Sequence, residues 1–116
     1  MSSIAELEPQ TVWEHFDEIL RIPRGSKNEQ KIREYVIGIA RRHGLGYKQD
    51  ATGNLVVRKP AVSGRESAAA VVLRCHLDMV NDKNADMKHD FDKDPIIPQS
   101  DGEYEVGDVT EVGDVK

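Results

Sequence analysis

A chain of 116 residues has room for one hydrophobic core, burying about 60 to 70% of the surface its unfolded form exposes. Its 16 basic and 21 acidic side chains leave a net charge of -5, which argues against a nucleic-acid partner, and no basic stripe with interleaved aromatics appears. The lone cysteine, Cys75, excludes an intramolecular disulfide, and no apolar run is long enough to span a bilayer.

The first eight residues have no charged segment leading into an apolar one, so the chain reads as a soluble cytoplasmic protein. Pro9 suits the first turn of a helix, where its missing N–H costs nothing. Val12, Trp13, Phe16, Ile19 and Leu20 then recur at helical spacing, and Pro23 predicts an end near Ile22. Ser26-Lys27-Asn28-Glu29 has the form of a capping box and predicts a second helix directly after it. Ile32, Tyr35, Val36, Ile39 and Ala40 mark its buried face, and Gly44 can take the left-handed position past its end. His15 and His43 read as surface positions on these helices, not ligands.

Leu45–Gln49 and Asn54–Arg58 flank Asp50-Ala51-Thr52-Gly53, the signature of a hairpin in which Gly53 supplies a positive φ. A surface loop from Lys59 to Ser67 leads to Ala70–Val80. There the aliphatic run Val71–Leu73 predicts a central strand buried on both faces. His76 and Asp78 alternate along it and share a face at its carboxyl end, where open α/β sheets place ligands. A neutral imidazole nitrogen binds zinc, and a neighbouring carboxylate can hold the ring's other N–H. Taken by itself, such a triplet more commonly marks a solvated loop just past a strand. Cys75 points to the opposite face and is expected to be a buried small hydrophobe, while Arg74 would be repelled by a bound dication.

Asp90, Asp92 and Asp94 imitate the opening of a calcium loop, but Pro95 stands where glycine is needed and Asp101 where a bidentate glutamate belongs. Ile96–Gln99 and Glu103–Val106 predict a short β-ribbon around Ser100-Asp101-Gly102. Glu105–Thr110 is nearly repeated by Glu111–Lys116, too short a unit to bury a face. The fold class is thus α/β: two helices, a hairpin, a central buried strand, then a loop and short ribbon. Residues 1–104 read as one domain portion and 105–116 as a divergent acidic tail.

Arg21-Ile22-Pro23-Arg24 with Ser26 and Glu29, Gly53–Ala61, His76–Val80, His89-Asp90-Phe91 with Lys93–Ile96, and Asp101-Gly102-Glu103 occur in a characteristic order. In this order they resemble the zinc metallopeptidases that include the cytosolic aminoacyl-histidine dipeptidases, also called peptidase D. The resemblance runs from Leu7 to about Tyr104. It implies a two-zinc site, with cobalt or manganese as substitutes, in which His76 is a ligand of one metal and Asp78, counted with the catalytic residues, is the carboxylate behind it. It implies a dipeptide substrate and a metal-bridging water deprotonated by a glutamate. It also implies an aspartate bridging the metals, a Glu-Glu pair, and a later aspartate and histidine, all beyond the matched region. After Tyr104 the chain departs from the Gly-Ala-Asp-Asn-Gly-like continuation of that family, and Asp114 is not assigned as a ligand. The expectation is an amino-terminal part of a catalytic domain, inactive by itself and prone to self-association through an exposed sheet edge. A non-catalytic remnant or a small α/β interaction module is the alternative.

Overall fold

The computed structural model describes residues 3–100 and 105–107, with side chains over 4–98. It divides into two compact units: residues 1–32 with 77–116, and residues 33–76.

In the first unit a 3-10 turn, Ser3–Glu6, packs against α1, Gln10–Leu20. Pro9 precedes α1, and its carbonyl accepts from the Val12 and Trp13 amides at 3.1 and 3.4 Å. The helix closes as Arg21 and Ile22 donate to Glu18 and Ile19 carbonyls, and Pro23 prevents another turn. Ile4 and Leu20 are fully buried, which makes the contact of turn and helix the core of this unit. Trp13 and Phe16 meet edge to face with centroids 5.7 Å apart, a favoured aromatic geometry. Val12, expected on the apolar stripe, is exposed instead. Asp17 is buried on the same helix, and Arg21 donates to its carboxylate at 2.9 Å from one turn later.

The chain returns to this unit at Leu77. Gly25 and Met79 form a parallel bridge, with Met79 N–H donating to the Arg24 carbonyl at 2.8 Å and Ser26 N–H to the Met79 carbonyl at 3.3 Å. Further on, β3, Pro98–Ser100, pairs antiparallel with β4, Glu105–Gly107, in the register Pro98↔Gly107 and Ser100↔Glu105. The expected ribbon is therefore present; its connecting residues 101–104 lie outside the described residues, as do 108–116 of the acidic tail.

The helix α2, Gln30–Arg42, belongs to the second unit from Arg33 onward. It does not begin at the expected capping box. Lys27 takes a left-handed φ of 70°, so helical geometry is broken there, and Glu29 accepts from the Lys27 amide rather than from a cap. The other end follows expectation. Gly44, at φ 67°, donates to the Arg41 carbonyl while Leu45 donates to that of Ala40, the paired bonds of a Schellman end.

Next come β1, Gly46–Gln49, and β2, Leu55–Arg58, in the antiparallel register Gly46↔Arg58 to Gln49↔Leu55. Their turn is organised by Asp50, whose carboxylate accepts from Thr52 N–H and Oγ1 and from Asn54 N–H and Nδ2, all between 2.8 and 3.0 Å. Those bonds, the Asn54 side chain foremost, hold the Asp50 carboxyl down at about 2. Gly53, at φ 95°, completes the turn, and Arg33 of α2 donates to its carbonyl at 2.7 Å. Arg41 caps the other side of the hairpin through Tyr47 Oη, at 2.7 and 3.0 Å.

The stretch expected as a central buried strand is the main correction. Residues 69–78 form no strand, and Val71, Val72 and Leu73 are 82%, 89% and 93% exposed. Cys75 is likewise exposed, not buried. The residue preferences suit a strand, but a ladder needs a second backbone at about 4.8 Å, and no described residue supplies one.

Candidate functional site

Asp78 is half-buried, and Ser26 Oγ donates to its Oδ2 at 2.6 Å across 52 residues of sequence. That short, charge-assisted bond stands beside the Gly25–Met79 bridge, so backbone and side chain fix the aspartate together. Gly25 is buried, and a Cβ there would run into the carboxamide of Asn81. Arg24 is half-buried, donates to the Ile19 carbonyl at 2.7 Å, and has its basicity lowered by that burial.

Beside this bridge Leu20, Arg24, Met79, Asn81, His89 and Phe91 line a cleft of about 20 Å³, room for a single water. His89 and Phe91 lie edge to face at 5.0 Å. Two of the three aspartates that imitate a calcium loop accept from their own loop's backbone. Asp90 Oδ1 accepts from the Asp92 amide at 2.9 Å and Asp94 Oδ2 from the Asp90 amide at 2.8 Å, while Asp92 accepts from Asn28 at 3.3 Å.

His76 is exposed and ends the second unit, whereas Asp78 belongs to the first. A tetrahedral zinc needs four donors, and among the described residues no group of three or more His, Cys, Asp or Glu could hold a metal. His76 can supply one imidazole donor, so a zinc pair would draw its other ligands from outside the described residues, and no hydrolytic step is assigned to these residues. Sequence alone does not give Ser26 its role at Asp78. It occurs in the Arg21–Glu29 segment of the resemblance, but its S-x-x-E spacing suggested a cap, and only the return of the chain at residue 78 reveals its acceptor.

No protein-family model matches the chain. The cytosol non-specific dipeptidase of Escherichia coli (strain K12) is 46% identical over 104 residues, which cover 90% of this chain and 21% of that protein. The resemblance is to dipeptidases. A crystal structure of the aminoacylhistidine dipeptidase from Vibrio alginolyticus superposes with a TM-score of 0.87 at 42% identity, over 91% of this chain and 22% of that one. The chain thus spans about a fifth of the length of the dipeptidases it matches. Its α/β fold is that of a fragment of a peptidase domain. No helix among the described residues is long and apolar enough to cross a membrane.

Proposed function

We propose that this chain is part of a cytoplasmic dipeptide hydrolase of the aminoacyl-histidine dipeptidase type. In this reading His76 donates one ligand to a zinc pair, and Asp78 stands behind it as a positioning carboxylate. The other donors come from polypeptide outside the matched fifth, and the 116 residues alone are catalytically silent. The observation that supports it most is 46% identity to a dipeptidase through 90% of the chain. The anchoring of Asp78 by Ser26 adds to it, because a carboxylate that orients a ligand must itself be held. When bound, such a metal pair would polarise a peptide carbonyl and lower the pKa of a bridging water.

The test is a chimera in which these residues replace the matching fifth of the Escherichia coli relative. Cleavage of an aminoacyl-histidine dipeptide by the chimera, lost at least 100-fold in His76→Ala, is the expected result. Undiminished turnover in His76→Ala would overturn the ligand assignment. Metal-dependent cleavage by the isolated 116-residue chain would overturn its silence.

A further inference from the structure

The turn formed by residues 24–29 holds the returning chain at Asp78, Met79 and Asp92, all in the first unit. The Arg24 carbonyl and the Ser26 amide bond the backbone of Met79 on either side, and Asn28 Nδ2 donates to Asp92 Oδ1 at 3.3 Å. Between these attachments Ser26 Oγ reaches Asp78 Oδ2 at 2.6 Å. A hydroxyl has a single proton to donate, and that of Ser26 is committed here.

The turn keeps this geometry against a backbone preference. Lys27 sits at φ 70°, a left-handed conformation that a residue with a Cβ holds only where its surroundings enforce it. Its amide donates to Glu29 Oε1 at 2.7 Å, and the Asn28 amide closes the turn on the Gly25 carbonyl at 2.8 Å. Gly25 is buried where the turn bridges Met79. Ser26 is exposed, but it is presented by backbone fixed on both sides of it.

An aspartate that nothing holds samples several staggered χ1 wells. At Asp78 the neighbouring backbone is bonded to the turn and the carboxylate is bonded to Ser26, so the side chain is ordered before any ligand arrives. Groups that orient metal ligands work in this way, and the loss of one typically weakens metal affinity by about 10 to 100-fold.

We propose that Ser26 is a positioning residue: its hydroxyl sets the rotamer of Asp78 in advance, and through that carboxylate it raises the zinc affinity of the site to which His76 contributes. This rests on the reading of His76 and Asp78 given above.

Two measurements test it. In the isolated chain the Hα–Hβ couplings of Asp78 are expected to report one χ1 rotamer, averaged in Ser26→Ala and restored in Ser26→Thr. Averaged couplings in the unmutated chain, or a single rotamer that survives Ser26→Ala, would overturn the proposal. In the chimera with the Escherichia coli relative, zinc affinity is read by competition with a chromophoric chelator. Ser26→Ala is expected to weaken it about tenfold, with Ser26→Thr recovering most of the loss. At subsaturating zinc Ser26→Ala should lower kcat while KM for the dipeptide stays within about twofold. A lower melting temperature with unchanged zinc affinity would make the bond purely structural and overturn the proposal. Affinity lost in His76→Ala but kept in Ser26→Ala sinks the positioning role alone. Affinity unchanged in His76→Ala, or an unmutated chimera that binds no zinc, sinks the ligand reading and this proposal with it.

Discussion

Two segments of the second unit have the same residue preferences and opposite fates. Leu55-Val56-Val57 becomes β2, and Val71-Val72-Leu73 becomes nothing regular. The difference is the distance to a partner. β1 lies one tight turn away, and Asp50 and Gly53 fix that turn with local bonds, so closing the hairpin costs little chain entropy. The second aliphatic run has no complementary backbone nearby, and β-propensity measures only how well a residue fits a pleated surface once one exists. A hairpin can be read from its own dozen residues, whereas a central strand is a statement about residues elsewhere.

Substitutions can break this contrast at either end. The largest effect is expected at Gly25, where the bridge to Met79 holds the chain just past the bare segment. Gly25→Val puts a branched side chain at a buried bridge position where the exposed Asn81 side chain must swing aside, and should lower the unfolding free energy by about 2 kcal/mol, read from urea titration. An unchanged midpoint would mean that the bridge is dispensable. Gly53→Val acts on the hairpin, demanding a β-branched residue at φ 95° against the Arg33 guanidinium; about 1–2 kcal/mol should be lost, with β1 and β2 amides exchanging faster.

The Asp50 turn adds a dependence on pH. Its carboxyl titrates at about 2 in the folded turn, below the ordinary value of about 3.9. A depressed value stabilises the hairpin above the ordinary pKa, and this contribution is lost as pH falls through about 2. Hairpin amide shifts followed by NMR should therefore move between about pH 4 and 2, and Asp50→Asn should flatten that component; an identical profile in the variant would refute it. The smallest effect belongs to the bare segment. Leu73→Lys at a side chain 93% exposed should change the stability of the isolated chain by no more than about 0.5 kcal/mol. A larger loss would show that Leu73 is packed in solution.

The same distinction governs what could be read in advance. The spacing of Trp13, Phe16 and Leu20 and the Gly44 end located the helices, because periodicity and end signals are local. Ser26-Lys27-Asn28-Glu29 misleads for a physical reason: its hydroxyl can accept from a backbone amide as a cap or donate to an acceptor, and here it donates to the Asp78 carboxylate. Cys75 and Val71–Leu73 were expected to be buried because their residue types usually are, and burial needs covering chain that no local pattern reveals. At the site, His76 and Asp78 could be picked out as chemistry, but the hydroxyl that anchors the aspartate could not.

The bond from Ser26 to Asp78 also makes residues 27–77 a closed excursion whose two ends are held at one point. Closure entropy grows only with the logarithm of contour length, so doubling such an excursion costs about 0.6 kcal/mol. The exposed stretch from Lys59 to Ser67 is consequently a place where extra sequence, such as a reporter peptide or an affinity tag, can be spliced in while the register of Gly25 against Met79 stays as it is.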